Sequence, residues 1–136
     1  MTGVQTCALP ILHYVEDNET NIEIMRGVML QRPQIELEVS MHGLDGLGAI
    51  RQRRPDLILL DMQLPDISGL ELLRHIKNDD DIASIPVIVV SADATTARMQ
   101  EALTLGAAHY LTKPVDVPVF LEQVDELLEA SETSWG

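Results

Sequence analysis

LILLDMQLPD, residues 57 to 66, sets four aliphatic residues in a row before an aspartate, with a proline four residues further on. An uninterrupted apolar run of this length, closed by turn-forming residues, reads as a strand buried on both faces, the kind found inside a parallel sheet. Asp61 then stands at the carboxyl end of a central strand, where a charge has no packing role. The fold and the chemistry of the chain both follow from explaining it.

Outward from this stretch the chain alternates two periodicities. ILHYV (11 to 15), PVIVV (86 to 90) and the segment 107 to 112 are further strands, and IELEV (35 to 39) alternates strictly, as a half-exposed edge strand should. Between them, Ile24, Met25, Val28 and Met29, then Leu44, Leu47 and Ile50, then Leu72, Leu73 and Ile76, then Met99, Ala102 and Leu103 recur at helical spacing. Gly106 ends the fourth helix. Val117, Phe120, Leu121, Val124, Leu127 and Leu128 form the stripe of a fifth, with Asp116 at its N-cap and Pro118 in its first turn. Strict strand-helix alternation predicts an α/β fold, a doubly wound five-stranded parallel sheet in the order 2-1-3-4-5 with five helices, flavodoxin-like in topology.

In such sheets, sites form beyond the carboxyl ends of the strands, where the order switches, here between strands 1 and 3. Glu16 and Asp17 follow strand 1, Asp61 strand 3, Ser91 strand 4 and Lys113 strand 5. Neighbouring strands lie about 4.8 Å apart, so the three carboxylates are expected to share one cavity. Two like charges about 4 Å apart repel by about 4 kcal/mol at an effective dielectric of about 20, which calls for a cation. A few hard oxygen ligands with room left for water suit Mg²⁺ better than an all-protein Ca²⁺ cage. Beside a metal and Lys113, with the Ser91 hydroxyl in reach, Asp61 is a competent nucleophile toward phosphorus.

YVEDN (14 to 18), LLDMQLPDISG (59 to 69), VVSADA (89 to 94) and YLTKP (110 to 114), in this order, resemble the receiver domain of the response regulators of two-component signalling. The resemblance spans about residues 11 to 130. It implies that Asp61 is the phosphoacceptor and that Asp17 and Asp61 bind Mg²⁺, with Glu16 helping through water and the Gln63 backbone carbonyl completing the set. It further implies that Ser91 is the switch hydroxyl, Tyr110 the switch aromatic and Lys113 the phosphoryl-sensing lysine. The peptide before Pro114 is expected to be cis, and Gln63 and Asp93 to tune phosphoryl lifetime. The implied partners are a histidine kinase or histidine phosphotransfer protein, and a downstream protein on the face made by helix 4, strand 5 and helix 5. On this reading the chain is a signalling module, not an enzyme, acting only in its own phosphorylation and dephosphorylation.

Taken singly, these residues have plainer explanations. Asp17 and Asn18 suit a helix cap, Asp61 a turn ahead of Pro65, Ser91 the entrance to helix 4, and Lys113 and Tyr110 an edge-strand surface. Their joint arrival at the ends of the strands is what those explanations leave out. Two other chemistries fail at named positions. A haloacid dehalogenase-type hydrolase needs a second aspartate two residues after the nucleophile, where Gln63 stands, and a flavin binder needs a hydroxyl-rich phosphate loop where VEDNETN is acidic. His13, His42, His75 and His109 lack metal-ligand spacing, and His13, placed in strand 1, needs a hydrogen-bond partner if buried. Gly43, Gly46 and Gly48 do not make a dinucleotide fingerprint and are read as helix entry and close packing.

Composition bounds the remainder. Twenty-two acidic residues against 9 basic, a net charge of -13, argue against direct nucleic-acid binding. Cys7 has no partner for a disulfide, and no run approaches a membrane span, so a cytoplasmic location is expected. MTGVQTCALP (1 to 10) differs from the rest and resembles the translation of sequencing-adapter read-through, so it is read as a non-native or disordered segment. A receiver domain over 11 to 130 and a polar tail over 131 to 136 complete the expected organisation. Two contexts stay open: a stand-alone regulator, or the C-terminal receiver of a hybrid histidine kinase.

Overall fold

The computed structural model describes residues 9–133. Five parallel strands alternate with five helices: β1 (Ile11–Val15), α1 (Glu19–Met29), β2 (Glu36–Ser40), α2 (Gly43–Arg53), β3 (Leu57–Asp61), α3 (Gly69–Lys77), β4 (Val87–Ser91), α4 (Thr96–Leu105), β5 (His109–Thr112) and α5 (Val117–Thr133). The sheet order is β2-β1-β3-β4-β5, as the alternation of periods predicts. Residues 1–8 and 134–136, parts of the expected foreign segment and polar tail, lie outside the described residues. Pro10, assigned to the foreign segment, already takes part in the sheet: its carbonyl accepts from the Glu36 N–H at 2.8 Å. At the other end α5 continues through Thr133, past the expected start of the tail.

Each strand sends alternate side chains to opposite faces, which builds two cores. Val15, Ile58, Leu60, Val87 and Val89 pack with Leu47 and Ile50 of α2, the apolar face of α3, and Ala102 of α4. Leu12, Leu57, Leu59, Ile88 and Val90 pack with Ile22, Met25 and Met29 of α1 and Phe120, Leu121 and Val124 of α5. β3 and β4 are buried at every position, whereas β2 and β5 at the edges are mostly half-buried. That difference matches the continuous apolar runs of the former and the alternation of β2.

The helical stripes need correction in three places. Ile24, Leu44 and Leu103 are exposed rather than core residues. The α1 stripe is Ile22, Met25 and Met29, at i, i+3 and i+7, and Ile24 lies about 200° around the helix from Ile22. In α2 the inward positions of the first turn belong to Gly43 and Gly46, leaving Leu44 outside, and in α4 Ala102 is the buried residue. Gly48 meets nothing within 4 Å of an added Cβ, so the close packing expected of it is absent. Three strand boundaries also move. Ile35 is held in a turn by the Arg32 carbonyl, and Pro86 has no N–H to give a ladder. Gly106, at φ 114°, and Ala107 close α4 with paired bonds to Leu103 and Ala102, so β5 starts later than its apolar run.

His13 is buried in β1 and has the partners burial demands: Ser40 Oγ 2.8 Å from Nε2 and Glu38 Oε1 3.3 Å from Nδ1. Arg53 of α2 also binds Glu38. Burial holds the imidazole below its ordinary pKa of 6.5, against the opposing pull of Glu38. The unfolded chain therefore takes up a proton near pH 6.5 that the folded chain refuses, and stability present above that pH is lost as pH falls below it. Glu16, with its pKa raised by burial, contributes with the opposite sign. Chemical denaturation on both sides of pH 6.5 is expected to show a flatter pH dependence for His13→Leu than for the unaltered chain. Equal slopes would mean that His13 titrates alike folded and unfolded.

Candidate functional site

The site lies where β1 and β3 end. β1 runs straight into Glu16 and Asp17, and Asn18 caps α1, its side chain accepting from the Asn21 N–H at 2.9 Å. β3 delivers Asp61 beside them, because the parallel pairing of Val15 with Leu60 sets the two strand ends level. One carboxylate oxygen from each of Glu16, Asp17 and Asp61 lies within 4.8 Å of the others. Glu16 and Asp61 are 1% and 3% exposed, while Asp17 is open to solvent, so the cluster has a wet side and a dry side.

β5 supplies the opposing charge. Lys113 Nζ donates to Asp61 Oδ2 at 3.3 Å and stands 3.8 Å from Glu16 Oε1. Its position follows from the β4–β5 pairing, in which the Lys113 N–H donates to the Ser91 carbonyl. The peptide before Pro114 is cis. The Gln63 N–H donates to Asp61 Oδ1 at 3.0 Å, so both Asp61 oxygens are engaged and aimed. Three carboxylates against one nearby ammonium leave an excess of negative charge that hard divalent cations match. Burial, and next the contact with Asp61, push the Glu16 carboxyl above its usual range.

Ser91, Asp93 and Tyr110 form a second cluster beside the first. The Asp93 N–H donates to Ser91 Oγ at 3.0 Å, and the Tyr110 hydroxyl donates to the Asp93 carbonyl at 2.6 Å. The β4–α4 loop is thus bonded to both the end of β4 and the aromatic side chain of β5. The Asp93 carboxylate faces the helix entrance, accepting from the Thr95 N–H at 2.9 Å with Arg98 3.7 Å away, which holds its pKa down. Thr95, not Ser91, caps α4.

Some of the site was not singled out from the sequence. Tyr14 donates to Glu16 Oε1 at 3.0 Å, Asn21 Nδ2 donates to the same oxygen at 3.2 Å, and the Asn18 N–H donates to Oε2 at 3.1 Å. A signal existed: Tyr14 puts a phenol two residues before Glu16 in the strand ILHYV, and residues i and i+2 of a strand share a face. Asp66 was likewise passed over. Its carboxylate accepts from the Gly43 and Leu44 N–H groups at 2.8 and 2.9 Å, tying the loop after Asp61 to the start of α2.

Residues 12–125 match the response regulator receiver domain. The chain belongs to that family. The polar-differentiation response regulator DivK of Brucella anthropi is 40% identical over 114 residues, covering 84% of this chain and 92% of that protein. A CheY-like receiver domain protein of Methanospirillum hungatei superposes with a TM-score of 0.83 at 26% identity, over 93% of this chain and 99% of the other. The receiver domain of the sensor histidine kinase PA1611 of Pseudomonas aeruginosa, solved with a magnesium ion in its active-site cleft, gives 0.80 at 22% identity, over 90% and 99%. Membership in the receiver family sets aside the hydrolase and flavin readings. Among the described residues no helix is long and apolar enough to cross a membrane.

Proposed function

We propose that this receiver domain accepts a phosphoryl group on Asp61 from a phosphohistidine of a histidine kinase or phosphotransfer protein, with Mg²⁺ held by Asp17, Asp61 and the Gln63 carbonyl. The observation that carries the reading is the placement of Asp61 between two further carboxylates and Lys113. An Asp61 oxygen forms the new O–P bond as the P–N bond breaks, and the histidine nitrogen departs with the electron pair. Lys113, already at Asp61 Oδ2, follows the charge onto the phosphoryl oxygens. The cation supplies neutralisation of charge on the transferring group. The magnesium in the PA1611 receiver supports this choice of ion.

Readout runs through the second cluster. A phosphoryl group adds charge and acceptor oxygens, and the Ser91 hydroxyl donates to one of them, drawing the β4–α4 loop inward. The Tyr110 hydroxyl is bonded to that same loop, so the α4–β5–α5 face shifts with it and docks a downstream protein. Gln63, whose N–H binds Asp61, and Asp93, whose N–H binds Ser91, tune how long the phosphoryl group lasts. The module acts on no substrate but its own aspartate and works in the cytoplasm. Incubation with acetyl phosphate and Mg²⁺ is expected to add an acid-stable, base-labile phosphoryl mass mapping to Asp61, and excess chelator is expected to prevent it. Labelling that ignores the chelator, or that maps elsewhere, would overturn this reading.

A further inference from the structure

We propose that Tyr14 is a positioning residue for the cation site, acting through Glu16. The proposal rests on the cation reading above and deepens it.

The Tyr14 ring packs in the core between the sheet and helices α1 and α5. Phenylalanine would fill the same space, so packing does not call for the hydroxyl. A phenol oxygen taken out of water needs a hydrogen-bond partner, and the partner here is Glu16 Oε1 at 3.0 Å. Glu16 is itself buried, and its hydrogen-bond donors are the Tyr14 hydroxyl from within β1, the Asn18 N–H from the α1 cap and Asn21 Nδ2 from the first turn of α1, with Lys113 Nζ 3.8 Å from Oε1. Oε1 carries the Tyr14 and Asn21 bonds, and Oε2 carries that of Asn18. With both oxygens committed to protein donors, the carboxylate is fixed in one orientation. The one acceptor position left, on Oε2, is available to receive from a cation-bound water, while Asp17 and Asp61 would ligate directly.

Such an outer partner acts by geometry, and its loss costs affinity without removing a ligand. In Tyr14→Phe, magnesium titration calorimetry is expected to show a Kd weakened about tenfold. In a Glu16→Gln background the same step is expected to change Kd by less than about twofold, because the group through which Tyr14 acts is already altered. Without metal, the Glu16 carboxyl carbon resonance is expected to move in Tyr14→Phe, since one of its donors is gone. An unchanged Kd in the single variant means that the hydroxyl is idle. A loss of equal size in both backgrounds means that the aromatic core, not Glu16, transmits the effect. Either result overturns the proposal. If the unaltered chain binds no magnesium, the cation reading falls on its own, and the metal-free resonance still decides the clamp: an unmoved Glu16 signal refutes it.

Discussion

Asp61→Asn is expected to abolish phosphoryl acceptance while leaving the fold at least as stable. The substitution keeps the shape and one of the two hydrogen bonds: the amide oxygen can still accept from the Gln63 N–H, now at 3.0 Å from Oδ1, while the amide nitrogen cannot accept from Lys113 Nζ as Oδ2 does. What it removes is the nucleophilic oxygen pair. Labelling by acetyl phosphate should drop at least about a thousandfold, the scale on which loss of a nucleophile exceeds any effect on binding. Stability should move the other way. Asp61 is buried among Glu16 and Asp17 with Lys113 as the nearby counterion, so deleting one charge relieves repulsion that the lysine only partly offsets. Thermal unfolding without metal should therefore give a melting temperature equal to or above that of the unaltered chain. A variant that still labels at the original level would remove Asp61 from the chemistry, and one that melts well below would make the loss structural.

Gly69→Ala is expected to be the most destabilising small substitution at the site. Gly69 opens α3, and a Cβ there would lie 2.5 Å from the Met62 Cα and 2.8 Å from the Asp61 carbonyl oxygen. These are backbone atoms of the turn that follows the acceptor, and they cannot swing aside as the end of a side chain would. The Gly69 N–H also donates to the Met62 carbonyl at 3.0 Å, which holds the two backbone segments together. Forcing the methyl in should cost about 3 kcal/mol, or about 10 °C in melting temperature for a domain of this size. The labelling rate should fall as well, because the displaced atoms belong to Asp61 and its neighbour. Gly48→Ala is the contrast. Nothing lies within 4 Å of its added Cβ, and in mid-helix the change should stabilise by about 0.5–1 kcal/mol. If both variants melt alike, the contact at Met62 is not what Gly69 provides.

The legibility of the site differs by residue for physical reasons. Asp61, Glu16, Asp17, Ser91 and Lys113 could be found because each interrupts or ends an apolar run, and because a parallel sheet delivers strand ends to one side. Tyr14 hides for the opposite reason: its ring satisfies the apolar pattern, and only the position of its hydroxyl reveals a polar task. Asp66 hides among loop residues whose composition says turn and nothing more. Ile24 and Leu44 misled because a spacing of three or four residues fits several stripes at once, and only the sheet decides which stripe faces it.

Periodicity alone determined the class of fold, the strand order and the side of the sheet on which the acids gather, because these depend on backbone geometry that repeats from strand to strand. The tertiary structure decided what those acids are bonded to. Glu16 is held by donors from β1, the α1 cap and the first turn of α1, Lys113 reaches Asp61 across 52 residues of chain, and Tyr110 is bonded to a loop 17 residues away. Hydrogen bonds of this kind depend on distances of a few tenths of an ångström, whether the partners stand 5 residues apart or 52, and hydrophobic spacing carries no information at that scale.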